Sequence, residues 1–263
     1  MRIRATVAAV SGALALSALA VPAAHAAAGT AGPAVTFSNV KVAQGKSIVV
    51  GAKAKVVVPV TYTLTHPASL KPGSFAAGPV IYLGDKITAP TGFQAGDEPG
   101  TCKTVSATVL NCTASLDIYP TDHDLLNSQA GTWKVGGLAV DAAKHLTWGG
   151  DLGYTKVLRG AALTVDASPE PVKKGAALTV KGTLSRADWS ANKNTGFAGQ
   201  SVALQFCKAG SRTYTTVKTV KTDGAGNLKT TVTASVDGYY RYSFAGVATT
   251  AAVSAAGDYV DVK

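Results

Sequence analysis

Methionine is all but missing from this chain, with Met1 alone among 263 residues. Glutamate occurs only at Glu98 and Glu170, and charged residues of every kind make up 15%. Two of the strong helix formers, Met and Glu, are therefore all but missing, and no amphipathic helix longer than two turns can be read. Histidine beyond residue 26 is limited to His66, His123 and His145. No G-x-S-x-G elbow is present, so a serine hydrolase has neither a nucleophile in the right setting nor an evident base. Two glutamates and scattered aspartates single out no carboxylate pair for glycoside hydrolysis. His123, between Asp122 and Asp124, reads as a solvated turn residue. Histidine and cysteine do not cluster at zinc-ligand spacing. Four arginines remain beyond residue 26, without interleaved aromatics, which argues against nucleic acid as a partner. No catalytic residue, metal or cofactor is expected.

What is present begins with an address. Arg2 and Arg4 precede an apolar stretch from Ala5 to Val21, and Ala24-His25-Ala26 follows. A basic head, an apolar middle and a small-residue cleavage site make a secretory signal peptide over 1–26. Cleavage after Ala26 predicts a secreted protein, extracellular or loosely wall-associated, with no membrane span afterwards. Disulfides become permissible in that compartment.

Hydrophobic residues reach 46%, much of it alanine and valine. Short strand-like runs recur between Gly, Pro, Asn and Asp, the pattern of an all-β chain. In Val56–Leu64, alternate residues share one face, while Pro59 removes a ladder donor and predicts an edge or bulge. Ala177–Leu184 reads as a strand and 185–199 as a polar loop. A boundary near Gly160 gives two immunoglobulin-like β-sandwiches of about seven strands each, over 27–160 and 161–263.

Three cysteines remain to be placed. Along one straight strand, Cys102 and Cys112 would lie about 33 Å apart, and a disulfide needs less than about 7 Å. If they pair, the chain must reverse near Ser106-Ala107-Thr108. Cys207 is then a free thiol. Alternation along Val202–Cys207 places it on the face of Ala203 and Gln205, partly exposed.

The segments LTVDASPEPVKKGAALTVKGTLSRADW, VALQFCKAGSRTYTTVKTVKTDGAGNLKTTV, GYYRYSFAG and GDYVDVK resemble the C-terminal immunoglobulin-like domain of secreted actinomycete proteins of unknown function. The resemblance covers about 100 residues. It implies fold and export, and makes Tyr240 the candidate for a tyrosine corner. Proteins of this kind are sometimes labelled calcium-binding, but no D-x-D-x-D-G loop with a closing Glu occurs here. In the first half, PGTC with its C-x9-C hairpin and AGTWKV is similar to bacterial surface sandwiches carrying a short hairpin disulfide.

The formal net charge is +10, carried by lysines spread along the strands. An exported basic protein is attracted to anionic polymers such as those of a cell wall. The expectation is a non-enzymatic structural or adhesive protein of the cell envelope. The runner-up is a carbohydrate-binding module, with Trp148 and Trp189 as candidate stacking residues in polar loops. A calcium-binding surface protein comes third.

Overall fold

The computed structural model describes residues 31–263. The signal peptide predicted over 1–26 lies outside the described residues. The chain is all-β, and helical turns among the described residues are limited to short 3-10 segments.

Ten strands precede Gly160: β1 (Thr36–Val42), β2 (Ile48–Val50), β3 (Val56–Thr65), β4 (Phe75–Leu83), β5 (Gly92–Ala95), β6 (Thr101–Ser106), β7 (Val109–Ile118), β8 (Gly131–Asp141), β9 (Leu146–Gly149) and β10 (Tyr154–Arg159). One sheet has the order β1-β3-β7-β6, the other β2-β10-β8-β4-β5 with β9 beside β8. Around the core this is an immunoglobulin-like arrangement, with the first sheet matching the A-B-E-D order. Strand β2 runs parallel to β10, pairing Ile48 with Val157 and Val50 with Arg159. All other strand pairs are antiparallel.

Period-2 patterning makes this core. In β3, Val58, Val60, Tyr62 and Leu64 are buried while Val57, Pro59 and Thr61 face outwards. They meet Ile81 and Trp133 of the facing sheet, both fully buried. Each such side chain contributes about 1.5–3 kcal/mol. Pro59 is accommodated although β3 lies between two neighbours. Strand β1 pairs with β3 only as far as Val60, so Pro59 falls on a stretch with no partner on that side.

Ten strands follow: β11 (Ala161–Leu163), β12 (Asp166–Ser168), β13 (Ala177–Asp188), β14 (Lys193–Gly196), β15 (Ser201–Lys208), β16 (Thr215–Lys221), β17 (Asn227–Thr233), β18 (Gly238–Phe244), β19 (Val253–Ser254) and β20 (Asp258–Val260). One sheet is centred on β13, flanked by β11, β12, β14 and β17. The other runs β16-β15-β18, with β19 and β20 beyond β18. Their core holds Leu178, Val180, Leu184, Val202, Leu204, Tyr242 and Val260. Gly182 is required there, because a Cβ would come within 2.8 Å of the Tyr242 ring and 2.3 Å of the Thr164 carbonyl oxygen.

Both halves have more strands than the seven expected. Several of the extra ones are only two to four residues long, too short to show a period in sequence. The expected loop 185–199 is also partly strand. Strand β13 continues to Asp188 and forms a hairpin with β14. Its far end shows no simple alternation, because Ala187 and Trp189 are buried against the first sandwich rather than within the second.

Candidate functional site

Trp189 is not a surface residue. It is fully buried at the junction between the two sandwiches, and its indole Nε1–H donates to the Val50 carbonyl oxygen at 3.1 Å. The same carbonyl accepts the N–H of Gly160 at 2.8 Å. Asn127 closes the other side. Its Nδ2 donates to Asp188 Oδ1 at 2.8 Å and its Oδ1 accepts the Trp189 N–H at 2.9 Å. Arg159 is buried here too, and its Nε donates to the Ala187 carbonyl oxygen. The polar setting of Trp189 in sequence therefore reflects caps and turns around a buried ring. A sugar cannot reach it, which corrects its assignment as a stacking residue.

Trp148 lies on β9 rather than in a loop and is half-buried. Its ring packs edge-on against Phe93, with centroids 6.1 Å apart, over a small cluster containing Val80, Tyr82 and Ile87. Tyr240 does not make a tyrosine corner. Its buried ring packs on Phe206 at 4.8 Å between centroids. The hydroxyl that ties this strand to another is that of Tyr242, which donates to the Val180 carbonyl oxygen at 3.0 Å across the sandwich. Cys102 and Cys112 are bridged between β6 and β7, directly opposite each other, with Cα atoms 4.0 Å apart. Cys207 is free but 3% exposed, not partly exposed as alternation suggested. The turn after β15 folds back over it, bringing the Ser211 carbonyl oxygen to 3.4 Å from Sγ.

Among the described residues, no group of three or more His, Cys, Asp or Glu is placed to hold a metal. Asp223 is occupied by its own hairpin. Its Oδ1 accepts the N–H groups of Ala225 and Asn227 at 2.9 and 2.8 Å. His123 is exposed in a left-handed turn position with φ of 59°. No helix among the described residues is long and apolar enough to cross a membrane.

The strongest charge cluster sits at one end of the first sandwich. Lys55 Nζ lies 2.7 Å from Asp117 Oδ1 and 3.4 Å from Asp97 Oδ2, over the Tyr119 ring. The Tyr119 hydroxyl donates to Asp97. Burial opposes the charge on Asp117. The Lys55 ammonium, the Asp97 N–H and the Ser115 hydroxyl outweigh it and hold that carboxyl below the usual range. A carboxyl depressed on folding stabilises above its unfolded pKa of about 3.9 and loses that contribution as pH falls through the folded value. The denaturation midpoint is therefore expected to fall with acidification below about pH 4. Asp117→Asn should lower the midpoint at pH 7 and flatten its acid dependence. An unchanged pH slope in the variant would refute the assignment.

A second feature is different in kind. A cleft of about 700 Å³ opens between the end of β1 with its following turn and strands β8 and β10. Lys41, Lys46 and Lys156 line it together with Gln44, Thr132 and Tyr154, and no carboxylate does. All three lysines are exposed, and Tyr154 is 72% exposed. The chain turns there through left-handed positions at Ala43, Gln44 and Gly45, with φ of 50°, 54° and 82°. Lys41 also lines a second groove of about 420 Å³ over the outer face of the β1-β3-β7-β6 sheet. Thr61, Thr63, Thr113, Asn111 and Lys103 line that groove. They lie in register across β3, β7 and β6, with Thr61 beside Thr113 and Asn111 beside Lys103. The two depressions therefore share one wall residue and present four lysines and a row of hydroxyls. Dispersed charge in sequence gave no sign of this grouping. Strand register would have signalled Lys103 beside Asn111, whereas Lys41 and Lys156 meet only where the end of β1 packs against β8 and β10 of the other sheet.

No family model matches this chain, and no curated protein matches it either. Solved structures do. Latent dimeric PorU from Porphyromonas gingivalis is 10% identical, with a TM-score of 0.30 over 87% of this chain and 20% of that one. The D00-D0 domain of intimin is 13% identical, with a TM-score of 0.28 over 86% of this chain and 99% of that one. The Escherichia coli adhesin FdeC is 14% identical, with a TM-score of 0.35 over 89% of this chain and 65% of that one. The chain thus spans a fifth of PorU. At these scores the likeness says nothing of activity or partner.

Proposed function

We propose that this is an exported, non-enzymatic adhesive or structural protein that holds anionic polymers of a cell envelope along its first sandwich. The observation that carries this reading is the carboxylate-free lysine cleft and its continuation past Lys41 into the threonine-lined groove. A track with spaced cations and hydroxyl donors suits a polymer with repeating negative charge better than a compact small molecule. Export rests on the basic, apolar and small-residue leader and agrees with a disulfide on an edge strand.

The attraction is long-range and screened, with a Debye length of about 8–10 Å at 0.10–0.15 M salt. Each exposed lysine contact is worth about 0.2–1 kcal/mol. Replacing Lys41, Lys46, Lys103 and Lys156 together by glutamine is expected to weaken retention on immobilised poly(glycerol phosphate) or polygalacturonate by roughly tenfold or more. Raising the salt concentration should release the unmodified protein in the same way. Four glutamines at other exposed lysines, such as Lys173, Lys174, Lys218 and Lys229, serve as the control. Equal loss in both variants would reduce the effect to net charge and refute the cleft.

A further inference from the structure

The outer face of the β16-β15-β18-β20 sheet carries a group of side chains that the core does not need. Tyr239 and Tyr259 are paired across β18 and β20, with ring centroids 5.1 Å apart and planes tilted by 57°. They remain 38% and 41% exposed. Beside them the Arg241 guanidinium lies over the Tyr214 ring at 3.7 Å and donates through Nε to Gln205 Oε1 at 2.9 Å. That bond leaves the terminal nitrogens of Arg241 and the amide nitrogen of Gln205 as donors directed by a fixed frame. The bare Gly257 makes room for the arrangement, because a Cβ there would come within 2.3 Å of the Tyr214 hydroxyl. Tyr214, Tyr239 and Tyr259 are thus drawn together from a loop and two strands.

We infer that this face is a binding site for an uncharged glycan, with Tyr239 and Tyr259 stacking on sugar rings and Arg241 and Gln205 bonding to hydroxyls. Aromatic faces give large contact area at small entropic cost while their hydroxyl ends stay wet. Planar donors beside them supply direction. A purely structural tyrosine pair would need neither the ordered arginine–glutamine bond nor the third tyrosine. Charge selects the ligand class. Arg241 is positive, while Asp237 and Asp261 lie close enough to Tyr259 to raise its hydroxyl pKa, after the larger effect of desolvation, and Lys263 lies 3.5 Å from the Asp261 carboxylate. The mixed signs offer no net attraction to a polyanion. A hydroxyl-rich neutral chain matches both ends of the face. The site is on the opposite half of the chain from the lysine cleft and stands without it.

The test is titration of the protein with neutral oligosaccharides, followed by calorimetry and intrinsic fluorescence. The probes are hexasaccharides of β-1,4-linked glucose, β-1,4-linked N-acetylglucosamine and α-1,6-linked mannose. The expected result is saturable binding of at least one probe, unchanged by salt and by the four lysine substitutions. Tyr239→Ser with Tyr259→Ser should weaken it at least tenfold, and Arg241→Met should weaken it while leaving both rings in place. Thermal melting confirms that each variant is folded. If the tyrosine pair proves necessary for folding, the Arg241→Met arm and Gly257→Val, which displaces Tyr214, carry the decision. Absence of binding to every probe would overturn the inference. So would binding that survives the folded tyrosine and arginine variants. Binding that disappears in high salt would belong to the lysine cleft and would overturn it as well.

Discussion

Trp189→Ala is expected to cost about 3–5 kcal/mol, the range for truncating a buried large aromatic side chain. The ring is fully buried between the sandwiches and bonded to Val50. Its removal leaves that carbonyl with only Gly160 and opens a void where β13 packs into the core of the first sandwich. The loss should appear as uncoupling. Scanning calorimetry of the unmodified chain should give a single dominant transition. The alanine variant should give two, with the less stable sandwich melting first. Trp189→Phe keeps most of the volume and removes the hydrogen bond, so it should cost nearer 1 kcal/mol and preserve one transition. A single transition at unchanged temperature in Trp189→Ala would show that the junction contributes no coupling.

Removing the cross-strand disulfide should have the next largest effect. Cys102→Ser with Cys112→Ser is expected to lower stability by about 3 kcal/mol, since the short loop is no longer closed in the unfolded chain. The folded consequence is local. Strand β6 is an edge strand, paired only with β7, and Val105 is skipped in its register and 59% exposed. Hydrogen exchange should accelerate at β6 while β3 and β8 keep their protection. Denaturation midpoints with and without reductant measure the global part. Equal midpoints would mean that the bridge only trims an edge that is already held by its ladder.

The parts of this fold that were legible in the sequence were those with long, clean alternation. Val58, Val60, Tyr62 and Leu64 declare a half-buried strand in sequence and form one. The sheets change between β10 and β11, on either side of Gly160. What stayed hidden depends on contacts between distant segments. Trp189 sits among Asp188, Ser190 and Asn192, and polar neighbours ordinarily mark a solvated loop. Here Asn127, 62 residues upstream, consumes that polarity. Cys207 obeys its strand's alternation but is covered by the turn that follows. The lysine cleft comes from the packing of one sheet against the other, and the tyrosine face from register. Tyr239 and Tyr259 are twenty residues apart in sequence, and only the antiparallel pairing of β18 with β20 makes them neighbours.

The parallel ladder between β2 and β10 has a mechanical consequence. Strand β10 leads through Gly160 directly into β11, so tension from the second half enters the first at Arg159. Strand β2 is held from its own beginning, at Ile48. Opposed pulls on the start of one strand and the end of its parallel neighbour slide the two along each other. The evenly spaced bonds of a parallel pair are then loaded in shear, all together, instead of being unzipped one at a time. Traction along the chain should meet its steepest resistance at Ile48–Val50, and a proline at Val49 should be felt as a drop in rupture force.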